Sequence, residues 1–243
     1  MILITRPTNE AKLLAKALKS FSLPNTTESL TSFKYCKKRI NFNENCLFIV
    51  SSLQAVHAMR MNQKDYKDII MQGKFLVVGM KVASELKLLG VKNIVKRFNS
   101  SDSLMSYLLH EKKPFKFKVE YLCGSIINDE FVIALKRSKI KYKKNVLYKT
   151  LAAKQISSQC LDLLQKNEIK IVLIYSAYSA KVFLKLLRHH KLISVLKNIN
   201  ILCLSKRIAG VFQDKVPPKR LLWCRSPSQK SLLTKLESAI NRI

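Results

Sequence analysis

The sequence predicts an α/β protein made of two similar parallel-sheet units, and three observations lead there. Short apolar runs alternate with segments of helical periodicity along the whole chain. The runs are apolar at every position rather than at every second one, as in parallel strands covered on both faces. The strand-to-helix junctions also recur in order: Ser51-Ser52-Leu53-Gln54-Ala55 matches Ser176-Ala177-Tyr178-Ser179-Ala180 at an offset of 125 residues. Val78-Gly79-Met80-Lys81-Val82-Ala83 matches Leu204-Ser205-Lys206-Arg207-Ile208-Ala209 at 126, and Ser103-Leu104 matches Ser231-Leu232 at 128. Such ordered self-similarity marks two copies of one unit.

Element by element, residues 2–5 read as a strand. A helix follows, capped by Thr8 or Asn9, with Ala11, Leu14, Ala15 and Leu18 on one face. Strands are expected at 47–50, 75–78, 93–98 and 119–123. Each precedes a helix, carrying in turn Ala55, Val56 and Met59; Val82, Ala83, Leu86 and Leu89; Leu104 and Leu108; and Ile127, Phe131, Ala134 and Leu135. The segment 139–151 is read as extended chain with lysines facing water, around Ile140, Tyr142 and Val146-Leu147-Tyr148. Beyond it come a helix at 160–164, a strand at 171–175, a helix through Val182, Phe183 and Leu186, and a strand at 201–204. A helix at 208–212, a strand at 221–224 and a last helix with Leu232, Leu233 and Leu236 complete the chain.

Composition narrows the function. Of 243 residues 48% are hydrophobic, which supports a real core and excludes a disordered basic tail. No apolar run approaches the roughly 20 residues of a membrane span. The opening MILITRPTNE does not read as a secretory signal. Six cysteines without a CxxC pair read as reduced, mostly buried thiols, so a cytoplasmic protein is expected. The net charge of +30 fits a polyanionic partner. It equally fits a composition drifting toward lysine, since 35 of the 45 basic residues are Lys.

Ligands of open parallel sheets bind outside the carboxyl ends of the strands. The junctions there are Thr5-Arg6-Pro7, Ser51-Ser52, Gly79-Met80-Lys81, Cys123-Gly124-Ser125, Ser176 to Ser179, and Ser205-Lys206. Helix-start N–H groups with serine hydroxyls and nearby cations make carboxylate or phosphate cradles, although any single serine there can be an ordinary helix cap. GxGxxG, GxxxxGK[ST] and GxSxG are all absent, which disfavours common nucleotide sites and a hydrolase elbow. His189-His190 falls at a helix end rather than in a metal motif, and Cys123 has no histidine at motif spacing, so a core thiol is expected. No metal or other cofactor is called for. Tyr148 lies in the basic segment between the two units, where its phenol could donate a proton to a leaving group or simply serve as a strand residue with a wet tip.

Taken together, these segments resemble the uroporphyrinogen-III synthase family. The likeness is carried by Ile2-Leu3-Ile4-Thr5-Arg6-Pro7, the stretch Phe48 to Val56, Val77-Val78-Gly79 with Ala83, Val146-Leu147-Tyr148-Lys149-Thr150, Tyr175-Ser176 with Ser179-Ala180, and Ser226-Pro227-Ser228 with Leu232-Leu233. It implies one discontinuous domain (1–33 and 152–243), a second inserted domain (39–144), and linker strands at 34–38 and 145–151. It implies cyclisation of hydroxymethylbilane, an open-chain tetrapyrrole with eight carboxylates, to uroporphyrinogen III with ring D inverted. Tyr148 matches the tyrosine that assists hydroxyl departure. Ser51, Ser52, Gly79, Ser176 and Ser179 match cleft-lining positions. The family pattern has threonine where Val82 and Ile208 stand, glycine at Ser205 and arginine at Cys123. The implied partner is the bilane, met by a monomer without membrane or nucleic acid. A different class remains open: a basic nucleic-acid-binding protein, supported by the patch Lys136 to Lys149 with Tyr142 and Tyr148. So does a hinged protein that binds the bilane without turnover.

Overall fold

The computed structural model describes all residues except 21, 111–117, 128, 138–139, 214–217, 227 and 241–243, and leaves aside the side chains of 8, 9, 20, 129, 130 and 134. Lys139 and Pro227, and the side chains of Thr8, Asn9 and Ala134, therefore lie outside the described residues. The chain divides into two compact units, Met1–Ser32 with Leu151–Ile243, and Phe33–Thr150.

The first unit holds β1 (Ile2–Ile4), α1 (Thr8–Ser20) and β2 (Asn25–Thr27). The second begins within β3 (Thr31–Tyr35). It continues with β4 (Cys46–Val50), α2 (Leu53–Met61), a 3₁₀ turn at Gln63–Tyr66, α3 (Lys67–Gln72), β5 (Lys74–Val78) and α4 (Met80–Leu89). Then come β6 (Asn93–Phe98), α5 (Ser101–His110), β7 (Lys118–Gly124), α6 (Asp129–Arg137) and β8 (Tyr142–Ala152). The first unit resumes with α7 (Ser158–Gln165), β9 (Ile171–Ile174), α8 (Ala177–His189), β10 (Asn200–Cys203), α9 (Lys206–Gln213), β11 (Arg220–Trp223) and α10 (Gln229–Ile240).

The five-stranded sheet of the first unit has the order β11-β10-β9-β1-β2, and all of its pairs are parallel. The six-stranded sheet of the second has the order β3-β8-β7-β4-β5-β6, with β8, β7, β4, β5 and β6 paired in parallel. Laid side by side, β6-β5-β4-β7-β8 and β11-β10-β9-β1-β2 are the same spatial pattern. Only the chain order differs: the first unit starts at its β1, whose counterpart β7 comes fourth among the five matching strands of the second. The repeat visible in the sequence is thus a circular permutation of one parallel-sheet unit. β8 pairs with β7 over Tyr142 to Tyr148 and runs on to Ala152, past the point at Leu151 where the chain returns to the first unit.

Uniformly apolar strands form the sheet interiors. Every residue of β4, β9 and β10 is buried, β10 including the polar Asn200. Each sheet is covered on two faces by separate clusters. In the second unit one cluster holds Phe48, Val77, Leu122 and Leu147, and the other holds Ile49, Leu76, Tyr121 and Cys123. Full burial of one such side chain stabilises the fold by about 1.5–3 kcal/mol. β2, with the sequence NTT, is short, polar and half exposed at an edge. Neither it nor α3, less than two turns long, leaves a periodic signal in the sequence.

Candidate functional site

In each unit the connections from two neighbouring strands leave in opposite directions, so a crevice opens at their carboxyl ends. In the second unit these strands are β4, which leads through α2 to β5, and β7, which leads through α6 to β8. In the first they are β1, leading through α1 to β2, and β9, leading through α8 to β10.

At the β4/β7 point lies a cavity of about 190 Å³ whose lining includes Ser51, Ser52, Tyr121, Cys123, Gly124 and Tyr148. Ser52 caps α2, its Oγ accepting from Gln54 N at 3.1 Å. That oxygen also lies 2.9 Å from the Tyr148 hydroxyl. Ser51 Oγ lies 3.0 Å from the Tyr121 hydroxyl.

Tyr148 is aimed by a bulge. The β7–β8 register runs Cys123 to Val146 and then Gly124 to Tyr148, so Leu147 is the extra residue. Strict alternation would put Leu147 and Tyr148 on opposite faces. Instead both pack into one cluster, with the Tyr148 ring edge-on to Phe33 at 5.6 Å. Gly124 makes room for it: a Cβ there would stand 2.5 Å from Tyr148 Cζ and 2.8 Å from its hydroxyl oxygen. Burial pushes the Tyr148 phenol above its ordinary value, and the bond to Ser52 only partly offsets this. The ring therefore carries its proton at neutral pH.

The other predicted residues of this unit have mixed placements. Gly79, before α4, has φ +93°, a conformation that glycine adopts freely and that strains other residues. Its N–H bonds Phe98 O at 2.8 Å. Lys81 is exposed on the first turn of α4. Ser125 is exposed; its N–H bonds Tyr148 O and its Oγ accepts from Thr150 N at 3.1 Å, so it braces the end of β8.

In the first unit, Thr5 does not offer its hydroxyl to a ligand. It is 1% exposed and donates to Leu173 O at 2.6 Å, tying β1 to β9. Arg6 pairs with Glu10 and lies over the Tyr175 ring, 4.6 Å from its centroid. Pro7 O accepts from the N–H groups of Glu10 and Ala11, starting α1. Ser176 caps α8, accepting from Ser179 N at 2.9 Å, and its hydroxyl is 2.7 Å from that of the buried Ser179. Ser205 O accepts from Ile208 N and Ala209 N at the start of α9, and Lys206 is exposed there.

Among the described residues no group of three or more His, Cys, Asp or Glu is placed to hold a metal ion. No described helix is long and apolar enough to cross a membrane. Cys123 is a core thiol, 2% exposed and pushed up to about 11 by burial, so it is a poor nucleophile. Val82 and Ile208 are buried among apolar neighbours. Tyr121 is the residue that sequence reasoning missed: in an apolar β7 it reads as an ordinary strand aromatic. A signal was present nonetheless, two residues before the Cys123-Gly124 junction.

A pair of permuted parallel-sheet units, each with a switch-point crevice, defines a two-domain α/β protein. The family model for uroporphyrinogen-III synthase HemD matches residues 24–233, and the chain belongs to that family. Among solved structures it is similar to a uroporphyrinogen-III synthetase from Helicobacter pylori, with 18% identity, a TM-score of 0.67 and 98% of each chain covered. It is also similar to a mutant uroporphyrinogen III synthase from Thermus thermophilus, with 12% identity, a TM-score of 0.63, and 100% of this chain and 99% of that one covered. At these identities the likeness is one of fold. No curated protein matches the chain significantly.

Proposed function

We propose that this chain cyclises hydroxymethylbilane to uroporphyrinogen III as a cyclising lyase of tetrapyrrole biosynthesis, acting as a cytoplasmic monomer. The observation that carries the reading is the Tyr148 phenol. It is buried against Gly124, held by Ser52, and kept protonated at the mouth of the β4/β7 crevice.

The reaction begins when the C–O bond of the terminal hydroxymethyl group breaks. Tyr148 supplies the proton that lets the hydroxyl leave as water, and a conjugated cation remains. The substituted carbon of ring D attacks that cation to give a spiro intermediate. This fragments and recloses with ring D turned over. A ring carbon then releases a proton, which restores the phenol. Substrate becomes product plus one water.

The residues divide the work by chemistry. The β4/β7 cavity lining named above carries no charged side chain, so it suits the reacting carbon skeleton and its leaving hydroxyl. Arg6, Lys81 and Lys206, with the helix starts behind Pro7, Ser176 and Ser205, suit the carboxylates. Ser51, Gly79, Gly124, Ser125 and Ser179 shape these junctions. Thr5 acts on the sheet alone. The nucleic-acid alternative loses its best aromatic, since Tyr148 is buried and cannot stack on a base at the surface.

The test is incubation of purified protein with freshly made hydroxymethylbilane. Uroporphyrinogen III is expected as the main product. Recovery of only the symmetric I isomer, which forms without an enzyme, would reject the reading.

A further inference from the structure

We infer that Tyr121, through its hydroxyl contact with Ser51, is a second positioning residue of the β4/β7 cavity. It holds the reacting end of the substrate from the sheet face opposite Tyr148. The inference rests on the proposed cyclase reading and gives a role to a residue that the reading uses only as cavity lining.

Two consecutive serines follow β4, and each is met by one tyrosine: Ser51 by Tyr121 at 3.0 Å and Ser52 by Tyr148 at 2.9 Å. The two rings come from opposite faces of one sheet. Tyr121 packs with Ile49 and Cys123, its ring 4.8 Å from that of Phe131. Tyr148 packs with Leu122 and Leu147 on the other face. Both nevertheless line the same cavity at the carboxyl edge. A tyrosine needed only for packing would do as well as phenylalanine at 121, where burial is nearly complete at 6% exposure. The hydroxyl instead reaches the cavity wall and finds the serine that Tyr148 does not use. Burial holds the Tyr121 phenol protonated, as it does Tyr148, so both rings present neutral O–H groups.

Neutral hydroxyls in a low-dielectric pocket bond to the departing oxygen or to pyrrole N–H groups without attracting the carboxylates. Two such pairs, one from each face, fix the direction from which ring D meets the cation. Reclosure in the inverted sense requires that direction to be held while the skeleton rearranges.

The experiment compares wild type, Tyr121→Phe, Ser51→Ala and the double variant, reading turnover of hydroxymethylbilane, the III-to-I isomer ratio and the melting temperature. Tyr121→Phe keeps the ring against Phe131. Its expected effect is about a tenfold loss of turnover, the factor carried by one ordinary hydrogen bond. A larger share of I isomer accompanies the loss, with the melting temperature within about 4 °C of wild type. Ser51→Ala behaves alike, and the double variant is no worse than the poorer single one. A merely structural role would lower the melting temperature and leave the isomer ratio alone. If wild type makes the III isomer and Tyr121→Phe matches it in rate and ratio, the inference is overturned and the cyclase reading stands. Additive losses in the double variant overturn it as well. Should Tyr121→Phe fail to fold, Ser51→Ala decides alone, and an unchanged ratio there overturns the inference. Only I isomer from the wild type overturns the cyclase reading and this inference with it.

Discussion

The two units share one spatial strand order and use the same place in it differently. At the β1/β9 point of the first unit, polar groups are turned onto the protein itself: Thr5 bonds the neighbouring strand, and Arg6 is held by Glu10 and the Tyr175 ring. At the β4/β7 point of the second, the hydroxyls of Ser51, Ser52, Ser101, Tyr121 and Tyr148 gather around a cavity and none belongs to a charged group. Gly124 occupies on β7 the junction that Thr5 and Arg6 occupy on β1, and its missing side chain makes the room that Tyr148 fills. A duplicated sheet therefore supplies two crevices, and side-chain content assigns them different tasks. The first turns its polar groups inward onto neighbouring side chains and backbone, and the second presents neutral hydroxyls to a cavity.

The largest effect is expected where that difference is erased. Gly124→Ala places a methyl within 2.5 Å of the Tyr148 ring, so the ring must leave its seat beside Ser52. Turnover should fall by about 100-fold or more, with about 1–3 kcal/mol of stability lost to overpacking. Activity near wild type would show that the seat is unimportant. Gly79→Ala forces a side chain into φ +93° and should cost about 1–3 kcal/mol in urea melts, with no bulky contact to blame since only Val82 lies within reach. Arg6→Ala probes the first unit. KM should rise about fivefold from the loss of one carboxylate contact while the isomer ratio holds, because no reacting atom lies there. A changed ratio with unchanged KM would reverse the division of labour.

The mildest test is pH. Burial pushes Cys123 up to about 11, and Cys160 and Cys203 up to about 12, from an ordinary 9.0. A thiol whose native pKa is raised stabilises fully below the unfolded value and loses that contribution as pH rises through the native one. Unfolding free energy should therefore be insensitive to these thiols below pH 9. Above it each should subtract up to about 1.4 kcal/mol per pH unit. Flat stability from pH 7 to pH 10.5 would contradict their burial.

The parallel strands were legible in the sequence because burial on both faces makes runs such as Leu47-Phe48-Ile49-Val50 apolar throughout. The junction residues were legible because serine and glycine mark the point where a strand hands over to a helix. Four features were not. The bulge that turns Tyr148 beside Leu147 depends on pairing with β7, and no local pattern encodes it. The inward hydroxyl of Thr5 depends on Leu173, far away in sequence. Tyr121 looked like any strand aromatic until Ser51 was brought to its hydroxyl. The circular permutation also lay beyond the sequence, since offsets near 125 align β4, β5 and β6 with β9, β10 and β11 but say nothing of β7 and β1.

The central claim is that a protonated Tyr148 hydroxyl, seated by Ser52 and Gly124, releases the leaving group. Its most direct test is the turnover of Tyr148→Phe on hydroxymethylbilane beside wild type, with melting temperatures recorded for both. A rate about 100-fold lower at nearly unchanged melting temperature is the predicted result. Equal rates for the two proteins would contradict the claim.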